Sequence, residues 1–204
     1  MNTDIAIVGM SCRFPDADSI GAYWENLKEG KQSIKKLSEE ELKLSGISDT
    51  LYNQENYVRA ASYISDIEHF DAGFFKYSPR EAAILDPQQR IMLELSHEAL
   101  ESAGYNSEYN TQNVGVFMGS GYNQYLLKNI LRGRSITDNS EEFFIQTSND
   151  KDYLASRISY KLNLHGPSVN IQTACSTSLV AVHFTRKSLL AKECDWAIAG
   201  VITL

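Results

Sequence analysis

Four prolines, three cysteines and no apolar run of membrane length set the first limits on this 204-residue chain. Cys12, Cys175 and Cys194 show no CxxC spacing. That argues against a zinc site or a disulfide frame and for a reducing compartment such as the cytoplasm. No stretch approaches the roughly eighteen apolar residues of a bilayer span. Met1-Asn2-Thr3-Asp4 has no basic n-region of a signal peptide, so no membrane association is expected. Cations are also short: 19 Lys and Arg face 26 Asp and Glu, for a net charge of −7. With no basic stripe on any expected helix, nonspecific nucleic-acid binding is excluded, and the acidity reads as a solubility feature. No GxGxxG or GxxxxGK follows Gly9, so no phosphate loop is expected.

The hydrophobic fraction of 43% is globular, and the length suits one large domain or half of a bigger one. Ile5 to Met10 is a continuous apolar run, the pattern of a strand buried on both faces, and it opens an α/β order. Asp18 or Ser19 can cap a helix with Ile20, Tyr23, Trp24 and Leu27 on one face and Gly30 as its stop. Ser38 and Glu41 have capping-box spacing, Tyr57 to Ile64 has strand character, and Phe70 to Phe75 concentrates aromatic bulk for a core edge. Two helix starts follow, at Ser78-Pro79-Arg80-Glu81 and Asp86-Pro87-Gln88-Gln89, the second helix running to Gly104. A functional reading of Gln88, Gln89 and Arg90 stands beside a simpler one, a capped and solvated first turn.

Val114 to Gly119 is the next strand, and Gly119-Ser120-Gly121 permits close backbone approach at its carboxyl end, where a pocket is expected. Tyr125, Leu126, Leu127 and Ile130 suggest a helix broken by Arg132-Gly133-Arg134, a region suited to a lid or a dimer flank. A helix with Leu154, Ile158 and Leu162 inward is expected over 150–162, stopped by Gly166-Pro167.

The chain is organised around residues 168–192. Val169 and Ile171 alternate with Asn170 and Gln172, whereas Leu179, Val180, Val182 and Phe184 recur at helical spacing, so the period changes at Cys175. Ser176, Thr177 and Ser178 offer hydroxyls to the first helical turn, which puts Cys175 at or just before the N-cap. A thiol there faces the positive helix end, and neighbouring N–H groups are suited to hold an oxyanion. A helix end contributes at most about 2 kcal/mol toward the thiolate, so a base or cation is still wanted. The opposing reading is that a lone cysteine is buried and inert.

No histidine meets the need. His183 is about 12 Å down the same helix and reads as a satisfied histidine on a buried helix. His165 belongs to the loop before the strand, and His69 and His97 have nothing local aiming them at sulfur. Either Cys175 is structural or its base lies outside these residues. Asp195 to Ile202 reads as a further strand, so strand, helix and strand make a right-handed parallel crossover. That strand lacks a covering helix before Leu204, which suggests a truncated domain.

Several blocks together resemble the β-ketoacyl synthase family: residues 5–15, Phe70-Asp71-Ala72-Gly73-Phe74-Phe75, Ser78-Pro79-Arg80-Glu81, Asp86-Pro87-Gln88-Gln89-Arg90, residues 152–160 and Thr173-Ala174-Cys175-Ser176-Thr177-Ser178-Leu179. They span nearly the whole chain in order, and Ser78 to Arg90 is similar to the ketosynthase domains of modular polyketide synthases. The resemblance implies an α/β, thiolase-like layered fold made of two similar halves, with residues 1–204 as the first half and the second half absent. It implies a homodimer that works with acyl carrier protein and neighbouring polyketide synthase domains. The implied chemistry is decarboxylative thioester condensation in polyketide or fatty-acid biosynthesis. Cys175 would be the nucleophile and its backbone N–H part of the oxyanion hole. Substrates would ride on the phosphopantetheine of the carrier, with no cofactor or metal bound by the domain itself. Two histidines of the family's second half serve the condensation, so these residues alone are not expected to complete it. Val201 departs from the family, which usually has a second glycine there.

Three other readings share parts of this pattern. They are a non-elongating ketosynthase-like acyl-transfer domain, a non-decarboxylating thiolase relative, and a structural or dimerisation fragment with a buried cysteine.

Overall fold

The computed structural model describes residues 4–105, 112–133, 136 and 138–204. The signal-peptide reading at Met1 to Thr3 and the break at Arg134 therefore lie partly outside the described residues. The chain divides into two compact units, Cys12–Ser65 and Asp66–Leu204, the latter joined by the residues up to Ser11.

In Cys12–Ser65, α1 spans Ile20–Glu29. The Ser19 side chain accepts from the Ala22 N–H, and Gly30 closes the helix at φ 64°, where glycine bears no Cβ penalty. Its apolar stripe is not buried: Trp24 is 58% and Leu27 54% exposed. β1 (Lys35–Lys36) pairs antiparallel with β2 (Ala60–Ala61) around α2 (Glu39–Leu44) and α3 (Asp49–Tyr52). The strand expected over Tyr57 to Ile64 thus shrinks to two residues, because only that much backbone meets a partner. The capping box at Ser38 and Glu41 forms with both of its hydrogen bonds.

In the larger unit, α4 (Pro79–Ile84) and α5 (Pro87–Ser102) precede the central strand β3 (Val114–Ser120). A π-helical turn at Leu126–Ile130 and α6 (Asn139–Asn149) lead to α7 (Leu154–Lys161), β4 (Ser168–Asn170), α8 (Thr177–Leu190) and β5 (Trp196–Ile202). The sheet is parallel in the order β4-β3-β5. The connection from β4 through α8 to β5 is therefore a parallel crossover, and it passes over β3 rather than joining neighbours.

Alternation along β3 sorts the layers. Val114, Val116 and Met118 enter one core with Ile91 and Met92 of α5 and Leu154 and Ile158 of α7. Phe117 points the other way, onto Ile171 and Ala181 of the α8 side. Each such fully buried side chain contributes about 2 kcal/mol against leaving it in water. Phe75 joins the first core and stacks on Phe70 at 5.4 Å, the edge role expected of the aromatic cluster.

Three expectations fail here. Residues 5–10 form no strand, and Ile7 is 81% exposed. A strand needs a partner's N–H and C=O, and no described strand supplies them. The segment runs along α5 instead, with the Ser11 hydroxyl donating to Leu95 O at 2.7 Å. Likewise, α8 buries Thr177, Ala181, Thr185 and Ser188, while Leu179, Val182 and Phe184 face outward. Small side chains let the helix lie close to the sheet, and the apolar stripe is left uncovered. His183 is exposed on this helix and stacks edge-on with Phe184 at 5.7 Å, so it is not the buried histidine expected.

At both capping boxes the serine N–H holds the glutamate, Glu41 or Glu81, below the usual carboxylate range. A depressed folded value contributes stability present above the unfolded pKa of about 4.3 and lost as pH falls through the folded value. The urea midpoint should therefore drop on acidification below about pH 4.5, and Glu81→Gln, which retains an acceptor without a charge, should flatten that limb.

Backbone proximity gives a second prediction. A Cβ on Gly166 would lie 2.4 Å from the Val114 carbonyl carbon, whereas one on Gly200 would meet the flexible ends of Met92 and Met118. Gly166→Ala should cost about 2–3 kcal/mol in urea unfolding and Gly200→Ala under about 1 kcal/mol.

Candidate functional site

The sequence after β4 builds a strained turn. Ile171 N–H still donates to Met118 O at 2.7 Å, and then the chain leaves the sheet. Ala174 adopts φ 53°, a left-handed conformation that costs a residue with a Cβ about 1 kcal/mol. A single 3₁₀ turn, Ala174–Ser176, carries Cys175 directly into α8.

The hydroxyls expected to cap the helix do something else. Thr177 Oγ1 accepts from the Thr173 N–H at 3.0 Å and donates to Ala174 O at 2.8 Å. Ser176 Oγ donates to Thr173 O at 2.9 Å and lies 3.0 Å from Thr173 Oγ1. They tie the turn back on itself, and neither the 3₁₀ turn nor α8 receives a side-chain cap. Strain held in place by such bonds is what a strand-to-helix turn uses to project a side chain.

Cys175 itself is exposed, whereas Cys194 is buried and Cys12 intermediate. The buried, inert-core reading of Cys175 does not fit this placement. An exposed sulfur at the uncapped, positive end of a 14-residue helix is open to an electrophile. Three of the four histidines have contacts of their own: His69 Nδ1 lies 3.6 Å from Asp66, His97 Nδ1 lies 3.4 Å from Glu101, and His183 packs on Phe184.

Beneath the turn lies Gly119. A Cβ there would lie 2.3 Å from Thr177 Cγ2 and 2.4 Å from Ile171 O, so only glycine lets β3 and the Cys175 turn approach. The close approach expected of Gly119-Ser120-Gly121 is thus real, and its neighbour is the cysteine turn. Val201, in register with Gly119 on β5, is 40% exposed and is accommodated by facing outward.

Gln88, Gln89 and Arg90 are buried, which corrects the solvated-turn expectation. The start of α5 is covered, and each side chain has an internal task. Gln88 Oε1 accepts from the Gly121 N–H at 3.1 Å, while Gln88 Nε2 donates to Asp86 at 3.2 Å. Gln89 Nε2 donates to Asp150 O, and Gln89 Oε1 accepts from Arg157 Nε at 2.6 Å. Arg157 also donates to Thr147 O and to the Tyr77 hydroxyl. Arg90 lies over the Tyr125 ring and donates to Glu68 O at 3.4 Å. Burial pushes the Asp86 carboxyl up, against the opposing pull of the Gln88 hydrogen bonds and the Arg90 charge. Capping spacing announced the start of this helix, but nothing in it announced the burial.

Among the described residues no group of three or more His, Cys, Asp or Glu could hold a metal ion, and no helix is long and apolar enough to cross a membrane.

The class defined is an α/β unit with a parallel sheet and one exposed thiol at the join of a strand and a helix. Residues 2–204 match the family model described as Beta-ketoacyl synthase, N-terminal domain, and the chain belongs to that family. It is 46% identical over 202 residues to one component of the phenolphthiocerol/phthiocerol polyketide synthase of Mycobacterium tuberculosis, covering 96% of this chain and 14% of that protein. It is 37% identical to polyketide synthase PksN of Bacillus subtilis, covering 98% of this chain and 4% of that protein.

Among solved structures it is similar to ketosynthase twelve of the bacillaene polyketide synthase from Bacillus amyloliquefaciens. There the TM-score is 0.86 and the identity 35%, over 98% of this chain and 34% of that one. The ketosynthase from module 1 of the bacillaene synthase gives a TM-score of 0.84 at 35% identity, over all of this chain and 35% of that one. The fold is thus thiolase-like, and the chain spans about a third of the solved ketosynthases it matches.

Gly119→Ala should cost about 2–3 kcal/mol in urea unfolding and speed hydrogen exchange at the Thr173 amide, which depends on Thr177. Adding Thr177→Ser, which removes Cγ2 and keeps the hydroxyl, should restore only part of the loss, because the Ile171 carbonyl cannot withdraw.

Proposed function

We propose that residues 1–204 form the N-terminal half of a ketosynthase domain in a larger polyketide synthase, with Cys175 as its acyl-accepting nucleophile. The observation that carries this reading is the exposed Cys175 thiol on a strained, uncapped strand-to-helix turn, in a chain of this family.

In the first step the Cys175 sulfur attacks the carbonyl carbon of an acyl thioester carried on the phosphopantetheine of an acyl carrier protein. The new carbon–sulfur bond forms as the bond to the pantetheine sulfur breaks, and pantetheine leaves as the thiol. The Cys175 N–H, at the positive end of α8, stabilises the negative oxygen of the tetrahedral intermediate. In the second step a malonyl-type extender on a carrier loses CO₂, and the resulting carbanion attacks the Cys175-bound acyl carbon. The β-ketoacyl product leaves on the carrier and Cys175 is released as thiolate.

His69, His97 and His183 make their contacts away from Cys175, and the condensation step draws its proton-handling groups from the second half of the domain. The domain binds no cofactor of its own and acts in the cytoplasm beside the other domains of its synthase. Two uncovered surfaces support the half-domain reading. The outward apolar face of α8, Leu179, Val182 and Phe184, suits packing by the second half. The outer edge of β4, with Val169 39% exposed, suits a partner copy in a homodimer.

The test is to incubate the chain with a short acyl thioester of a pantetheine mimic at about pH 7 and about pH 8, then read intact mass and peptide maps. Circular dichroism checks the fold in parallel. One acyl group on Cys175, absent in Cys175→Ala and absent from Cys12 and Cys194, is the expected result. A folded chain that takes no acyl group, or takes it elsewhere, rejects the nucleophile.

A further inference from the structure

The β3–β4 ladder stops one step short of the turn that presents Cys175. The backbone register runs Val116 with Ser168, Phe117 with Val169 and Met118 with Asn170, and the Ile171 N–H closes it on Met118 O. Beyond that point the two backbones part, because residue 173 must begin the turn. Ser120 is nonetheless buried, so its N–H and C=O need partners.

The Gln172 side chain stands where a strand would have continued. In the amide orientation that satisfies both groups, its nitrogen donates to Ser120 O at 3.0 Å and its oxygen accepts from the Ser120 N–H at 3.2 Å. A primary amide reproduces the donor and acceptor of a peptide group, so the ladder is extended by one rung made of side chain. On the other flank of the same loop, the Gly121 N–H is shared between Ile202 O at 2.7 Å and Gln88 Oε1 at 3.1 Å. Asp86 orients Gln88 in turn. Two glutamines distant in sequence thus hold two successive peptides, and the one from the cysteine strand lies three residues before the thiol.

We propose that Gln172 is a positioning residue for Cys175: its amide locks the strand that delivers the thiol to Ser120 of β3, and so sets where the Ala174 turn places the sulfur and the Cys175 N–H. It touches no reacting group in this role. The cysteine turn has its own internal bonds from Thr177 and Ser176, but these fix its shape, not its station over β3. Gln172 and the Gly119 contact fix the station.

This inference rests on the nucleophile reading above, and the experiment separates the two. Three chains, unmodified, Gln172→Ala and Gln172→Glu, are compared for acylation by the short acyl thioester and for alkylation of Cys175 by iodoacetamide, both read by peptide mapping. Circular dichroism and thermal midpoints accompany them. A protonated glutamic acid reproduces the amide's donor and acceptor, whereas its carboxylate opposes Ser120 O, and bonding to the neutral form raises its pKa.

The ratio of Gln172→Glu to unmodified rates should therefore be highest at about pH 4, where the acid is largely protonated, and fall about tenfold by about pH 8. Gln172→Ala should be slower about tenfold at every pH, through the rate at saturation more than the half-saturating concentration. A ratio flat with pH in folded Gln172→Glu overturns the proposal. If Gln172→Ala fails to fold, the Gln172→Glu profile decides alone. If the unmodified chain takes no acyl group, the nucleophile reading falls, and the alkylation ratio then judges Gln172 by the same criterion.

Discussion

Everything near Cys175 depends on two backbones lying closer than side chains ordinarily allow, at Gly119. Thr177 Cγ2 and the Ile171 carbonyl occupy the space where a Cβ would be. That contact brings the carboxyl end of β3, the end of β4 and the start of α8 to one place. The hydroxyl of Thr177 and the amide of Gln172 can then reach backbone groups across the join. A strained residue such as Ala174 persists only where its surroundings over-determine it, and here they do.

The same economy of space explains α8. A helix that must lie close to the sheet presents Thr177, Ala181, Thr185 and Ser188 to it, with Val180 partly packed beside them, and Leu179, Val182 and Phe184 are turned away. The outcome reverses the ordinary amphipathic rule, in which the bulky apolar face is the buried one. An apolar face left in solvent asks for a second layer. The family to which the chain belongs, and its span of about a third of the solved relatives, set the context in which such a layer is expected.

Below the turn, polarity is buried as well. Asp86, Gln88, Gln89 and Arg90 sit at the covered start of α5, and α5, α6 and the Gly121 loop are joined there through side-chain amides and Arg157. Burying these groups is costly unless each finds a partner. The Asp86 carboxyl, pushed up by its surroundings, records what that cost is. Such a network gives the loop after β3 a single arrangement, which apolar packing alone would specify less sharply.

Local chemistry was legible in the residues themselves. Period-2 alternation located β4, helical spacing located α5, α7 and α8, β3 and β5 were readable as strands, and cap chemistry located the starts at Ser19, Ser38, Ser78 and Asp86. The change of period singled out Cys175. These succeed because hydrogen bonds within four residues and side-chain alternation are properties of the chain alone. What faces what was not legible. Residues 5–10 carry a strand's composition but find no partner, α8 buries its small face, and Gln88 and Gln172 reach across the fold to Gly121 and Ser120. Those outcomes depend on which surfaces meet, and only tertiary packing decides that, because burial is a relation between segments far apart in sequence.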